Sequence, residues 1–271
     1  MESVIENNFS KAFAIAWNEN QGTYSQNLAK KILKFIKLQD LKVNSVLDVC
    51  CGSANFLEEM KNNGKRCTGT EILDTYIEYN KSKYPDMSFF KTNEIDDLSN
   101  LGTFDLISCN HDVVNMLPTI EKWGEFFKNV YKHLNNGGIF IFDYYTKRKL
   151  KDWNETFVDS NDKLDYIKSI VSDTVNANTK ISNIYYINLS ATAKKDKENL
   201  EEKSYSINNY DAKYKKTEDT SVEYYFENDQ ILTQIKNAGY RYLITTDNNL
   251  SPISSIEDVN RMHIIAIKRE Q

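Results

Sequence analysis

Apolar residues along this chain recur with two periods, and the two periods alternate. Val46, Leu47 and Val49 form a short apolar run, whereas Phe56, Leu57 and Met60 just beyond it recur at helical spacing. Further strands are predicted at 66–70, 87–92, 104–110 and 139–143, each a short run of apolar, β-branched or small residues. Amphipathic helices frame them. One places Leu28, Ile32, Phe35 and Ile36 on one face behind Ser25 as its N-cap. Another places Trp123, Phe126, Phe127, Val130 and Leu134 behind Thr119, with Asn135-Asn136-Gly137-Gly138 stopping it. Alternation at this pace implies a parallel sheet covered by helices on both faces.

From about Leu150 to Tyr225 the alternation stops. The runs at 167–173 and 181–189 read as paired strands across Asn176-Ala177-Asn178-Thr179, and 205–214 and 222–226 as further strands. Thr192 to Lys203 is a charge run without an apolar face and reads as an exposed loop. A helix capped by Asn228 follows, carrying Ile231, Leu232, Ile235 and Ala238 and ended by Gly239, and then strands at 240–245 and 262–268. The expected organisation is an N-terminal arm and α/β core over 1–149, an antiparallel β insertion over 150–226, and a return to the core over 227–271.

Two strand ends carry chemistry. The first strand ends in Asp48 and runs into Cys50-Cys51-Gly52-Ser53-Ala54-Asn55. Such a turn of small residues at a helix start lets a ligand approach the backbone, where free N–H groups favour negative charge. The second strand ends in Glu71, followed by Ile72. Two carboxylates at the carboxyl edges of neighbouring parallel strands suit a cationic, ribose-bearing ligand better than a pyrophosphate. A dinucleotide turn wants G-x-G-x-x-G, and here only Gly52 is glycine, with Cys50 and Asn55 in the other two places.

The segment Asp48 to Ala54 resembles motif I of the class I S-adenosylmethionine-dependent methyltransferases, usually D-x-G-C-G-T-G, with Cys50 for the first glycine and Ala54 for the last. Asn93-Glu94-Ile95 is similar to that family's adenine-binding turn, and the fourth and fifth strands follow in the family's order. The resemblance implies an α/β fold: a Rossmann-like seven-stranded methyltransferase sheet with helices on both faces, closed by an antiparallel hairpin, plus an antiparallel β cap inserted after the fifth strand. It implies S-adenosylmethionine as cofactor and S-adenosylhomocysteine as product. Toward the cofactor it places Asp48, Cys50, Gly52 and Asn55 of the turn, Glu71 and Ile72 at the ribose, Asn93, Glu94 and Ile95 at the adenine, and Asn110 after the fourth strand. An N-terminal arm would fold over the methionine end with Trp17 and Tyr24, although these two, with Phe13, would serve equally to pin the arm to the core. Tyr185, Tyr186, Tyr205, Tyr210, Tyr224 and Tyr225 either line an acceptor pocket or follow the preference of aromatics for strands.

Methyl transfer is an in-line displacement from an activated leaving group, so the protein mainly holds the acceptor in line and excludes water. A base is needed only for a protonated acceptor. The candidates lie just past the fourth strand, in His111 and Asp112. His111 titrates near neutrality, and Asp112 would pair with it or receive an amine. A packing role for His111 stays open, and His133 and His263 read as structural. The expected reaction is methyl transfer to a nitrogen or oxygen of a small metabolite. The alternatives are a non-catalytic S-adenosylmethionine-binding regulator or partner subunit and, against Asp48 and the missing glycines, an NAD-dependent oxidoreductase.

Composition narrows the partners. A net charge of -5 over 271 residues argues against a nucleic-acid substrate. The local cluster Lys147, Arg148, Lys149 and Lys151 reads as a solvated helix face. Cys50, Cys51, Cys67 and Cys109 form no C-x-x-C pair, which argues against a metal site and for free thiols in a reducing cytoplasm. No leader peptide and no apolar stretch of membrane-spanning length is apparent. The expectation is a cytoplasmic monomer or homodimer acting on a small-molecule acceptor, without nucleic acid, membrane or metal.

Overall fold

Strands that are apolar on both faces need cover on both sides, and the helices supply it. The structure, a computed structural model, describes residues 22–95, 97–160, 164–188, 214–247, 249–253, 255 and 259–269. A helix over 22–38 (α1) precedes β1 (Ser45–Asp48), α2 (Asn55–Asn62), β2 (Arg66–Glu71), α3 (Asp74–Lys83), β3 (Ser88–Lys91) and β4 (Phe104–Cys109). A 3-10 turn (Val113–Met116), α4 (Ile120–His133), β5 (Leu134–Tyr145) and the short α5 (Lys147–Leu150) follow. Then come β6 (Glu155–Ser160), β7 (Leu164–Asp173), β8 (Asn178–Asn188) and β9 (Tyr214–Tyr224), and α6 (Asn228–Asn237), β10 (Tyr242–Thr246) and β11 (Arg261–Ile267) close the described chain.

The seven-stranded sheet runs β10-β11-β5-β4-β1-β2-β3, with β11 antiparallel to both neighbours and every other pairing parallel. Side chains alternate across it. Phe140 and Phe142 of β5, with Leu47, Ile107 and Ile264, meet Trp123, Phe126, Phe127 and Val130 of α4 and Ile231 and Ile235 of α6. Ile139 and Ile141, with Val46, Leu106 and Ile265, meet Leu28 and Ile32 of α1, Phe56, Leu57 and Met60 of α2, and Ile77 of α3 on the opposite face. Each such side chain, fully buried, contributes about 1.5–3 kcal/mol. This two-faced core fixes the sheet on which the site is built.

β6-β7-β8-β9 form a second, wholly antiparallel sheet between α5 and α6. The β7–β8 turn is closed by Asp173, whose Oδ1 accepts from the N–H groups of Val175 at 3.0 Å and Asn176 at 3.1 Å. Buried Asn115 in the 3-10 turn joins the two sheets: its Nδ2 donates to the carbonyls of Tyr145 (3.1 Å) and Tyr224 (3.0 Å), and its Oδ1 accepts from Tyr145 N–H (2.9 Å). Thr179 ties β8 to α5, donating to Leu150 O at 2.7 Å.

Several expectations need correction. Ser25 lies inside α1, not at its cap, because residues 22–24 are already helical and its hydroxyl is engaged with His111. The N-cap of α6 is Glu227, whose N–H donates to Gln230 Oε1 at 3.1 Å, while Asn228 Oδ1 accepts from Tyr144 OH at 3.0 Å. α4 ends at His133, but Leu134 is already extended, and the expected Asn-Gly stop is absorbed into β5 around Gly137 (φ +78°). Strand β6 was not expected, its alternation being too short to stand out. Phe13, Trp17, the charge run at 192–203, Tyr205 and Tyr210 lie outside the described residues. No helix among the described residues is long and apolar enough to cross a membrane.

Candidate functional site

β1, β2, β4 and β5 end at one edge of the sheet, where open α/β folds bind ligands. The turn after β1 is shaped by three left-handed residues, Cys50 (φ +53°), Gly52 (φ +50°) and Ala54 (φ +59°). Cys50 and Ala54 thus keep a glycine-like backbone at the motif's glycine places, against a cost of roughly 1–2 kcal/mol each. The fold holds it there. Cys51 N–H donates to Thr70 O at 2.9 Å, and Asn80 of α3, wholly buried, donates through Nδ2 to Gly52 O at 2.7 Å. Gly69 on β2 is needed for this packing, since a Cβ there would lie 2.6 Å from Cys51 Sγ.

Glu71 is the hub of the turn. Its Oε2 accepts from Gly52 N–H at 2.9 Å and its Oε1 from Ile72 at 2.7 Å and Leu73 at 3.2 Å. Burial raises its carboxyl above the ordinary range, and the three N–H groups pull it back. Asp48 is also buried. Burial pushes it up to about 7 despite the Ser108 hydroxyl donating to it at 2.6 Å, and the nearby Glu71 adds to the rise. Such an acid ionises readily only against a cation. Asn55 opens α2 and its Nδ2 donates to Ser53 Oγ at 2.9 Å. Asn110, following β4, is buried with neither its Nδ2 nor its Oδ1 meeting a partner among the described residues, a demand a bound ligand would meet. A Cβ on Gly52 would meet nothing within 4 Å among the described residues, which leave this side of the turn open. Beyond β3, Ile95 is buried, whereas Asn93 and Glu94 are exposed.

A second polar group lies toward β5 and β11. Asp143, fully buried, accepts from Asp112 N–H at 2.6 Å and from Arg261 Nη1 at 3.0 Å, and its Oδ2 lies 3.3 Å from His263 Nε2. Although burial opposes its charge, Arg261 and His263 hold Asp143 well below the usual carboxylate range. Arg261 also pairs with the Asp112 carboxylate and stacks 4.0 Å above the Tyr145 ring. Tyr24 OH lies 3.5 Å from Asp143 Oδ2 and 3.4 Å from His263 Nε2, and its ring meets His111 edge-on at 4.8 Å. His111 Nε2 is 2.7 Å from Ser25 Oγ. Burial lowers the His111 pKa in spite of Asp143 and Asp112, which keeps the ring neutral at neutral pH. His111 (φ +62°) and Asp112 (φ +54°) are consecutive left-handed residues, strain of about 1–3 kcal/mol each that is typical of functional sites.

The structure therefore gathers Asp48, Cys50, Gly52, Asn55, Glu71 and Ile72 at one turn and His111, Asp112 and Tyr24 beside it. Sequence reasoning did not single out Asn80, Asp143 or Arg261, and it read His263 as structural. A usable signal existed for one of them, because Asp143 lies in its strand much as Asp48 and Glu71 end theirs.

Over residues 21–185, more than half of the chain, the sequence matches a family described as a methyltransferase domain. The chain belongs to that methyltransferase family. Its 139-residue match to the Bacillus subtilis protein "Putative methyltransferase YqeM" is 24% identical and covers 49% of this chain and 56% of that one. The chain spans only 56–63% of the length of the curated relatives it matches. Among solved structures, an S-adenosylmethionine-dependent methyltransferase from Clostridium acetobutylicum superposes with a TM-score of 0.75 at 18% identity, covering 94% of this chain and 100% of that one. CalS10, an amino pentose methyltransferase from Micromonospora echinaspora bound to S-adenosylmethionine, superposes at 0.69 and 13% identity, covering 94% and 96%. At these identities the likeness concerns the methyltransferase fold. The residues present also fit S-adenosylmethionine: Glu71 Oε2 keeps an acceptor site for a ribose hydroxyl, Asn110 has two amide atoms to satisfy among the described residues, and Asp48 is set to ionise beside a cation.

Proposed function

We propose that this protein transfers a methyl group from S-adenosylmethionine to a nitrogen or oxygen of a small acceptor. The observation that carries this reading is the turn in which buried Glu71 accepts from Gly52, next to buried Asp48 and under the open side of Gly52. Glu71 and Ile72 hold the ribose, Ile95 with Asn93 and Glu94 borders the base, and Asp48, Asn110 and Tyr24 surround the methionine end. When bound, the cofactor supplies an activated methyl group. The protein supplies orientation, exclusion of water and a place for the acceptor's proton. That place is His111, held neutral by burial and fixed by Ser25 and Tyr24. Residues 150–226 act as the cap over the acceptor, with 1–149 and 227–271 as the core. The amino pentose methyltransferase among the structural neighbours supports a small acceptor.

Thermal unfolding in the presence of S-adenosylmethionine, S-adenosylhomocysteine or NAD tests the reading, followed by methylation of a metabolite panel. Stabilisation by the first two and methyl transfer to a panel member are expected, and stabilisation by NAD alone would overturn it. His111→Ala should lower turnover by roughly 10²–10⁴-fold with cofactor affinity nearly unchanged. A loss of affinity with normal turnover at saturation would instead give His111 a packing role.

A further inference from the structure

The acids at the acceptor side differ in what neutralises them. Asp112 and Asp143 share Arg261, and Asp143 also faces His263. Glu223 is tied instead to another acid, its carboxyl hydrogen-bonding the Asp112 side chain. It lies on β9 of the second sheet, next to Tyr224, whose carbonyl accepts from Asn115 and so seats the strand against the 3-10 turn that follows Asp112. Its side chain is buried at 4% exposure, and its Oε2 meets no hydrogen-bond partner among the described residues. Burial and the facing Asp112 carboxylate push it up to about 9, against smaller pulls from Arg261 on β11 and Lys168 on β7. A buried acid in this setting works against folding, and Asn115 already ties the two sheets without it. Residues that break the local rules in this way gather at binding sites.

The charge balance says what would complete it. Three carboxyls, Asp112, Asp143 and Glu223, stand around one guanidinium, and that guanidinium is already committed to two of them and stacked on Tyr145. An anionic group would meet the Asp112 and Asp143 carboxylates, with Arg261 already committed to both. A hydroxyl offers one donor and no charge. An ammonium offers three donors and the missing positive charge.

We propose that Glu223 of the antiparallel sheet and Asp112 of the core together recognise the protonated amine of the acceptor, which makes the acceptor an amine and not an alcohol. This rests on the methyl-transfer reading above and narrows it. Binding the ammonium ionises Glu223, whose proton leaves to solvent, and the acceptor then bridges the two sheets.

The test is calorimetric titration of the full chain, saturated with S-adenosylhomocysteine, with cyclohexylamine and with cyclohexanol at neutral pH, in two buffers of different ionisation enthalpy. The amine should bind roughly tenfold or more tightly than the alcohol and release on the order of one proton. Glu223→Gln, which copies the shape of the protonated acid, should lose both the preference and the proton release. Equal affinities, no saturable amine binding, or a preference unchanged in Glu223→Gln would overturn the proposal. The wild-type measurements decide it even if the variant does not fold. Failure of the methyl-transfer reading shows separately, as no thermal shift with S-adenosylhomocysteine in either protein.

Discussion

The two halves of the sheet's carboxyl edge solve the same problem in opposite ways. On the β1–β2 side, buried Asp48 and Glu71 are answered by neutral donors: the Ser108 hydroxyl and the backbone N–H groups of Gly52, Ile72 and Leu73. On the β5–β11 side, Asp143 and Asp112 are answered by the charge of Arg261. Neutral donors leave the first pair with raised pKa values, short of a cation. A guanidinium drives Asp143 the other way. The first half is thus arranged to be completed by a ligand, whereas the second is largely complete without one, except at Glu223 Oε2 and His263 Nδ1.

If that contrast holds, the second half should matter most for folding. Asp143→Ala would leave Arg261 and His263 buried without their shared acid and should cost about 3–5 kcal/mol in urea unfolding. A smaller loss would mean that Asp112 alone suffices for Arg261. On the first half the effect should appear in binding: Glu71→Ala should weaken S-adenosylhomocysteine by on the order of 2–4 kcal/mol in isothermal titration. Unchanged affinity would break the assignment of Glu71.

The pH dependence sharpens the comparison further. Asp48 is raised from 3.8 to about 7, so between those values the folded state holds a proton that the unfolded state has released. Its contribution to stability is therefore complete below the lower value and declines as pH rises toward the upper. Asp48→Asn should be insensitive to this decline and gain on the order of 2 kcal/mol over wild type at neutral pH, measured by denaturant midpoints across the window. The smallest effect expected is at the turn itself. Cys50→Gly should relieve a left-handed φ of +53° and raise stability by less than about 1 kcal/mol, the unfolded-chain entropy of glycine offsetting part of the relief.

The sequence alone determined the strand–helix alternation, the order of the core and the acids of the first half. The reason is local: Asp48, Gly52 and Glu71 sit at fixed offsets from strands whose apolar runs are visible, so motif and element are read together. The Thr119 cap was legible for the same reason, and the structure shows its hydroxyl accepting from Lys122 N–H at 3.2 Å. Caps failed where a side chain had a distant claim on it. Ser25 is taken by His111, 86 positions away, and Asn228 by Tyr144, 84 positions away. Part of the second half of the site was out of reach for that reason too. Asp112 was legible just past the fourth strand and Asp143 near the end of the fifth, but Glu223 on β9 and Arg261 on β11 stand in no pattern of their own. Only the return of β11 alongside β5, setting His263 opposite Asp143 in register, brings Arg261 to its acids. Pairing of distant strands is decided by burial on both faces of the whole sheet, and no local window of the chain contains that information.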